Sequence, residues 1–324
     1  MRPIEVRELR KAYGAVQAVD GVSFEIERGE VFALLGPNGA GKTTVVETIE
    51  GHRTADSGEV RVLGHDPARR ERALRERIGI VLQDAGFDED ATVVELVRLH
   101  RNLYPRRLDA DAVIELVGLT AKRTARVRTL SGGQKRRLDL ALGLVGAPEV
   151  LFLDEPTVGF DPEARRQAWS IVRDLRANGT TVLLTTHYLD EAQHLADRVA
   201  VVVAGRLVAL GAPDQLAAHG RATVIAFRTT DATDAGKVAP DGVAAIVGLP
   251  AALGDGAAVG RDGAGWRITT DDATRTLHDI TSWSLERHVP LDAIEVRRPT
   301  LEDAYLELVG ERAVHAGTDE AVPA

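Results

Sequence analysis

The sequence predicts an α/β fold with a mostly parallel core sheet, an antiparallel β edge, a helical arm and a small C-terminal α/β domain. Short apolar runs have the length of buried strands, and they lie at 30–35, 77–83, 150–154 and 181–185. Helical patterns separate these runs, which is the order of a parallel sheet covered on both faces. Two earlier segments, 4–9 and 16–26, alternate apolar and polar residues and therefore predict the antiparallel edge.

A glycine-rich loop, called here the glycine loop, follows the first apolar run. Its residues are Gly36, Pro37, Asn38, Gly39, Ala40, Gly41, Lys42 and Thr43, and Thr44 comes next. A helix predicted over 43–50 begins at its end, so that the first helical amides face a bound phosphate. Glycines let backbone amides turn toward phosphates, a lysine reaches the β- and γ-phosphates, and a threonine hydroxyl can ligate Mg²⁺. The glycine loop therefore predicts a nucleotide site.

Helix starts are predicted at four later places. They are a capping box at Thr92 and Glu95, a start at Asp109, a start at Ser131, and Asp161 followed by Pro162. We expect a nucleotide-binding domain over 1–219, with its helical arm at about 84–140. Beyond it, a small α/β accessory domain is expected over 220–310, and residues 311–324 are predicted to be disordered.

Composition narrows the possible partners. The formal net charge is −9 and both signs are mixed along the chain, which argues against nucleic acid as the main partner. The absence of cysteine excludes a disulfide framework, a thiolate metal site and a cysteine nucleophile. No uninterrupted apolar stretch approaches the ~20 residues that cross a bilayer, and the first residues lack the apolar core of a secretory signal. If the protein works at a membrane, we expect another chain to span it.

Two further motifs lie in the middle of the chain, after the glycine loop. The LSGGQ motif occupies 130–134, and the apolar run at 150–154 ends in Asp154, which Glu155 and Pro156 follow. In this order the glycine loop and the two motifs resemble the ATP-binding cassette (ABC) family, and the resemblance covers roughly residues 4–216. It implies a P-loop ABC ATPase that hydrolyses ATP between two cassettes.

The resemblance implies roles for four residues. Asp154 is similar to the Walker B aspartate that holds Mg²⁺, and Glu155 is expected to orient and deprotonate the water that attacks the γ-phosphate. His187 resembles the switch histidine at the γ-phosphate. Gln83 resembles the glutamine that touches Mg²⁺ or the lytic water and relays nucleotide state to the helical arm. The structural alternatives are a cap for Asp154, an exposed acid for Glu155, a structural histidine for His187 and a polar strand end for Gln83.

A second anion site is predicted at the LSGGQ motif. Ser131, Gly132, Gly133 and Gln134 open a helix whose unpaired amides and hydroxyl can bind a phosphate, although Ser131 could also be only a helix cap. The glycine loop already occupies one side of the phosphates. The resemblance implies that the second site comes from another cassette packed head to tail, and one copy of each half per chain favours a two-fold homodimer with two ATP molecules.

Two further positions match the family, and each also has a simpler structural explanation. Tyr13 is similar to the aromatic residue that stacks on adenine, although a core or edge tyrosine would fit equally. Asp161 aligns with the D-loop, which meets the opposite subunit, although capping its own helix would also explain it.

Late segments resemble one branch of the family. Residues 186–192, 196–199 and 205–207 look like ATPases that drive export through a separate permease, and 298–305 is similar to the carboxyl end of daunorubicin-resistance exporter ATPases. The resemblance implies ATP and Mg²⁺ as cofactors, a separate integral-membrane permease and a second cassette as partners, no nucleic acid, and a place on the cytoplasmic face of the membrane. Drug or antibiotic efflux is the finer expectation.

Two alternatives to an export ATPase remain. A soluble ABC ATPase acting on DNA or ribosomes usually has two cassettes in one chain or a long coiled-coil insertion, and this sequence has neither. A nucleotide sensor without turnover is disfavoured because Lys42, Asp154, Glu155 and His187 are all present.

Overall fold

The computed structural model describes residues 2–81, 86–217, 223–229, 257–262, 265–298 and 300–306. The chain divides into two compact units, Met1–Pro213 and Asp214–Ala324. The predicted disorder of 311–324 lies outside the described residues. No helix in the described ranges combines the length and the apolar character needed to span a bilayer.

The first unit contains a six-stranded core sheet of order β5-β6-β7-β3-β8-β9 and a three-stranded sheet of order β2-β1-β4. The strands are β1 (Ile4–Tyr13), β2 (Val16–Ile26), β3 (Val31–Leu35), β4 (Ser57–Val62), β5 (Ile78–Val81), β6 (Val150–Asp154), β7 (Thr181–Thr186), β8 (Arg198–Val203) and β9 (Arg206–Gly211). Neighbours from β5 to β8 pair in parallel, and β9 pairs antiparallel with β8. The other sheet is antiparallel throughout. The predicted parallel core and antiparallel edge are confirmed.

Apolar side chains join the two sheets into one core. Every residue of β3 is buried, as its uninterrupted apolar run predicts. The ring of Phe24 in β2 stacks on that of Phe32 in β3, with 5.0 Å between centroids. Phe152 in β6 is fully buried in the same cluster. Burying a side chain of this size stabilises the fold by about 1.5–3 kcal/mol, so these rings help to fix the strand that leads into the glycine loop.

Helices cover the core sheet and form the arm. They are α1 (Lys42–Ile49), α2 (Arg72–Arg75), α3 (Val93–Arg101), α4 (Ala110–Leu116), α5 (Gly132–Leu144), α6 (Pro162–Ala177) and α7 (Leu189–Leu195). The short helix α8 (Pro213–Ala217) follows at the division between the two units. In the arm, α3 packs against α4 and α5, and α5 also packs against β5. The predicted capping box at Thr92 and Glu95 is present, and the Asp109 side chain caps α4, the helix predicted to start there.

The second unit is a small α/β layer. Its antiparallel sheet has the order β11-β12-β10-β13, formed by β10 (Thr223–Thr229), β11 (Ala257–Asp262), β12 (Gly265–Thr270) and β13 (Leu291–Arg297). Helix α9 (Ala273–Arg287) packs its Ile280 and Trp283 against Phe227 and Trp266 of the sheet. Residues 301–306 form a further helix. The tryptophans are therefore core anchors of this unit, as their apolar surroundings require.

Candidate active site

The glycine loop lies between β3 and α1, and two neighbouring strands fix its path. A Cβ atom at Gly36 would lie 2.2 Å from the carbonyl oxygen of Val202 in β8. Gly41 has a φ of +99°, and a Cβ atom there would lie 2.3 Å from the carbonyl oxygen of Ala18 in β2. Only glycine fits both places, because any side chain would collide with backbone. The loop is thus held in shape by the sheets beneath it.

Lys42 places a buried cation at this loop. Its side chain is 7% exposed, and Nζ donates to the carbonyl oxygens of Gly36 at 2.8 Å and Pro37 at 3.1 Å. Burial lowers the pKa of Lys42, whereas the carboxylates of Glu155 and Asp154 oppose that change. The lysine therefore shares one electrostatic site with the two carboxylates that end β6.

Thr185 holds both carboxylate residues. It lies opposite Asp154 in the parallel register of β6 and β7, and it is 1% exposed. Its hydroxyl donates to Asp154 Oδ1 and accepts the backbone N–H of Glu155 at 3.1 Å. One hydroxyl can do both because it has one hydrogen and two lone pairs. Thr185 is not among the residues that the sequence predicts for the site, although its place two residues before His187 was a usable signal.

Glu155 and His187 meet at the mouth of these strands. His187 Nδ1 lies 3.0 Å from Glu155 Oε1, with the histidine side chain 39% exposed and the glutamate side chain 14% exposed. Glu155 has a φ of +46°, a left-handed conformation that is strained for a residue with a side chain. The structure thus brings the predicted base and the predicted switch histidine together, and it holds the base in an uncommon backbone conformation.

Arg136 joins α5 to the same strand end. Its guanidinium donates to the carbonyl oxygens of Asp154 at 2.5 Å, Glu155 at 3.0 Å and Pro156 at 3.4 Å, and it lies 3.4 Å from Asp139 Oδ2. Its side chain is 12% exposed. Arg136 is not among the residues that the sequence predicts for the site. Its spacing of three from the buried Asp139 on one helix places it on the inward face, and this pattern could have found it.

The LSGGQ motif begins α5 as a helix cap. Ser131 Oγ accepts the N–H of Gln134 at 3.3 Å, and Gln134 Oε1 accepts the N–H of Ser131 at 3.0 Å. A Cβ atom at Gly132 or Gly133 would meet nothing within 4 Å, so their backbone faces open space. The side chains of Ser131 and Gln134 therefore do what the simpler alternative expects, and the two glycines leave open space beside the helix start.

A cavity of about 340 Å³ separates this helix start from Glu155. Gly132, Gly133, Arg136 and Glu155 line it, and no described residue of the glycine loop does. The LSGGQ glycines and the glycine loop are consequently not two walls of this cavity in one chain.

Three predicted positions remain, and they are Tyr13, Asp161 and Gln83. Tyr13 ends β1 and is 41% exposed, so it is not a core tyrosine. The Nζ of Lys11 lies 5.7 Å and the Cζ of Arg53 lies 5.3 Å from its ring centroid, within cation–π range. Asp161 Oδ1 accepts the N–H groups of the second and third residues of α6, as a helix cap does. Gln83 lies outside the described residues.

The oxygen donors at the site fit Mg²⁺. Thr43 is exposed at the start of α1, and Asp154 is partly buried at the end of β6. No group of three or more metal-binding side chains occurs among the residues the structure describes. Mg²⁺ at nucleotide sites usually takes one or two protein oxygens and completes its shell with phosphates and water. A hydroxyl and one carboxylate are therefore a suitable set.

The chain is similar to known proteins in sequence and in fold. The ABC transporter family model matches residues 19–158, and a model of the C-terminal domain of ABC transporter domain-containing proteins matches 239–300. The daunorubicin resistance ATP-binding protein DrrA3 of Streptomyces coeruleorubidus is 39% identical over 95% of this chain and 96% of its own length. The Nod factor export ATP-binding protein I of Paraburkholderia xenovorans is 44% identical over 66% of this chain and 72% of its own length.

A solved structure has a similar fold over about two thirds of this chain. It is cbiO1 of Clostridium perfringens, described as part of the ABC transporter complex cbiONQ, with a TM-score of 0.59 and 31% identity over 66% of this chain and 90% of its own. The cassette fold is thus common to both proteins, and the sequence match to DrrA3 extends over nearly the whole chain. The chain belongs to the ABC transporter family, as an ATP-binding subunit with ATPase activity.

Proposed function

We propose that this ATPase powers an exporter by dimerising head to tail around two ATP molecules and driving a separate integral-membrane permease. The observation that carries the proposal is the arrangement at the end of β6. There Glu155 contacts His187, Thr185 holds both carboxylate residues, and Lys42 is electrostatically coupled to them. These are the parts that γ-phosphate hydrolysis needs, because phosphoryl transfer depends mainly on positioning and charge stabilisation.

Each part has a defined task in the proposed reaction. The glycine-loop amides and Lys42 bind the phosphates, and Tyr13 stacks on the adenine. Glu155 orients the attacking water and accepts its proton, while His187 contacts the γ-phosphate and steadies the Glu155 carboxylate. Thr43 and Asp154 would hold Mg²⁺, which when bound neutralises charge on the β- and γ-phosphates. For Gln83, contact with Mg²⁺ or the lytic water and relay of nucleotide state to the helical arm remain a prediction from the sequence.

The second chain supplies the other wall of each ATP site in this proposal. Gly132 and Gly133 open a helix of thirteen residues and have open space where side chains would lie, so their first-turn amides suit an incoming γ-phosphate. One glycine loop and one LSGGQ motif per chain give two equivalent sites when two copies pack around a two-fold axis. A homodimer is the simplest assembly with that symmetry.

The relatives favour transport over the soluble alternative. The names of two of them refer to daunorubicin resistance and to Nod factor export. No bilayer-spanning helix occurs in the ranges that the structure describes, so the proposed export path belongs to a partner. We place the ATPase on the cytoplasmic face of the membrane beside that permease. A drug or an antibiotic is the proposed class of cargo.

The proposal is tested by measuring ATP hydrolysis against protein concentration, with molecular mass determined in the same samples. The wild type is compared with Glu155→Gln and with Glu115→Gln, an identical change at an exposed residue of α4. We expect wild-type activity to rise more steeply than concentration, Glu115→Gln to match it, and Glu155→Gln to bind ATP and accumulate as a dimer without turnover. A fully active Glu155→Gln, or constant specific activity at monomer mass, would contradict the proposal.

A further inference from the structure

Arg136 makes an unusual set of contacts for a residue outside the predicted site. Its guanidinium donates to the carbonyl oxygens of three consecutive residues, Asp154, Glu155 and Pro156. Arginine suits this arrangement because its donors form a rigid planar fork, which a lysine ammonium lacks. These bonds hold backbone, so they constrain where β6 ends whatever side chains it carries.

The contacts matter most at Glu155. Its φ of +46° is sparsely populated by residues with side chains, and such a conformation persists only where the surroundings fix it. Thr185 accepts the Glu155 N–H on one side, and Arg136 donates to the Glu155 carbonyl oxygen on the other. The backbone of the proposed base is therefore held from both ends, once by β7 and once by α5.

Helix α5 connects these hydrogen bonds of Arg136 to the LSGGQ motif. Ser131 caps the helix, and Arg136 follows on its second turn, with Asp139 beside its guanidinium. The hydrogen-bonded helix thus joins the Ser131 end to the Arg136 guanidinium, which contacts the Glu155 backbone directly. The connection consists of covalent helix and direct hydrogen bonds, without an intervening loop.

We propose that Arg136 is a positioning residue that couples the two ATP sites of the dimer. This inference rests on the proposed function. In that dimer the LSGGQ motif of one chain faces the ATP held by its partner, whereas Glu155 acts on the ATP of its own chain. Arg136 joins the two within one chain, so closure of the LSGGQ motif on one ATP sets the position of the base at the other.

The test compares Arg136→Gln and Arg136→Lys with the wild type. Lys135→Gln is the matched control, since it removes a positive charge from the adjacent position of α5, where the lysine contacts Glu89 at 2.9 Å. Three quantities are measured: the dissociation constant for ATP in the Glu155→Gln background, kcat, and the Hill coefficient for ATP. Thermal unfolding shows whether each variant is folded, and Arg136→Lys provides the test if Arg136→Gln is not.

We expect Arg136→Gln to lower kcat about tenfold or more while ATP binds within about twofold of the wild type, because the base is misplaced and the glycine loop is intact. The Hill coefficient should fall from above 1 to about 1, since the sites no longer communicate. Arg136→Lys should recover only part of kcat, and Lys135→Gln should match the wild type.

Some results would overturn the inference. An Arg136→Gln protein with unchanged kcat and Hill coefficient would show that the contacts serve only the fold. An equal loss in ATP binding and kcat, or the same loss in Lys135→Gln, would show a general effect of charge on nucleotide binding. A wild type with a Hill coefficient of 1 and a constant specific activity at monomer mass would contradict the proposed dimer as well.

Discussion

His187 Nδ1 lies 3.0 Å from Glu155 Oε1, where two neighbouring parallel strands end. Parallel strands place their carboxyl ends at one edge of the sheet, so residues far apart in sequence meet there. An ionised carboxylate only accepts hydrogen bonds, and Nδ1 therefore carries the proton in this contact. The histidine ring is thereby oriented beside the proposed base.

Loss of this contact should slow hydrolysis. We expect His187→Ala to lower kcat by about 10²-fold, the lower range for losing a positioned acid–base group, with little change in protein stability because the ring is partly exposed. His278→Ala, at an exposed histidine of α9, is the control. Steady-state ATPase assays give the comparison, and a His187→Ala enzyme with wild-type kcat would show that the contact is incidental.

Removal of the Thr185 hydroxyl should affect both stability and turnover. Thr185→Val keeps the shape but removes the hydroxyl that donates to Asp154 Oδ1, while the Glu155 N–H keeps its second acceptor, the Thr185 carbonyl oxygen at 3.2 Å. Loss of the hydrogen bond to the partly buried carboxylate costs about 1–3 kcal/mol. We expect a lower free energy of unfolding in urea and a reduced kcat. Thr185→Ser restores the hydroxyl and should recover both, so equal behaviour of the valine and serine variants would refute the bridging role.

Replacement of Lys42 should weaken ATP binding without lowering the stability of the protein itself. Its burial lowers its pKa, so the charged form is held in the folded state at a desolvation cost. We expect Lys42→Met to unfold no more easily than the wild type while losing the thermal stabilisation that bound ATP gives to the native state. Lys122→Met, at an exposed residue, should keep the full ATP-dependent shift. A Lys42→Met protein that is stabilised by ATP as strongly as the wild type would contradict the phosphate-binding role.

Asp303 should make the second unit sensitive to acid. Burial alone would raise the pKa of Asp303, but hydrogen bonds from Arg297 and Thr300 outweigh it and lower the pKa to about 2. The folded pKa thus lies below the unfolded value of 3.8, so the carboxylate stabilises the native state above that pH and loses its effect as pH falls toward 2.

Asp303→Asn is therefore expected to destabilise the second unit at pH 7 by about 1–3 kcal/mol, through the loss of charge-assisted hydrogen bonds. The difference from the wild type should shrink between pH 4 and pH 2, as urea unfolding at several pH values would show. Asp271→Asn, at an exposed aspartate, is the control. A difference that does not change with pH would mean that the charge of Asp303 is not what stabilises the unit.

The sequence predicts those strands and helix starts that depend on neighbouring residues. The apolar runs at β3, β6 and β7 and the helix starts at Thr92, Asp109 and Ser131 are found where the sequence predicts them, because burial and capping depend on neighbouring residues. The run at 77–83 is confirmed as a strand for Ile78–Val81. Strand β9 gives only a weak signal because it is half-buried at the sheet edge.

Contacts between distant segments explain what the sequence does not predict. Thr185 is bound to residues about thirty positions earlier, and Arg136 to carbonyl groups eighteen to twenty positions later. A backbone carbonyl has no side-chain pattern that would point to its partner. The glycine loop and the acidic pair are predictable because their chemistry demands particular residues at fixed spacing.

Complementation between two inactive variants tests the shared ATP site most directly. Lys42→Ala disables the glycine loop, and Ser131→Arg blocks the LSGGQ motif. In a head-to-tail mixed dimer both defects fall in one site, which leaves the other site with an intact loop and an intact motif. We expect ATPase activity to return in part when the two inactive proteins are mixed, because the base of the intact site belongs to the chain whose LSGGQ motif is blocked. A mixture that stays as inactive as either variant, although mass measurement shows mixed dimers, would contradict a site built from two chains.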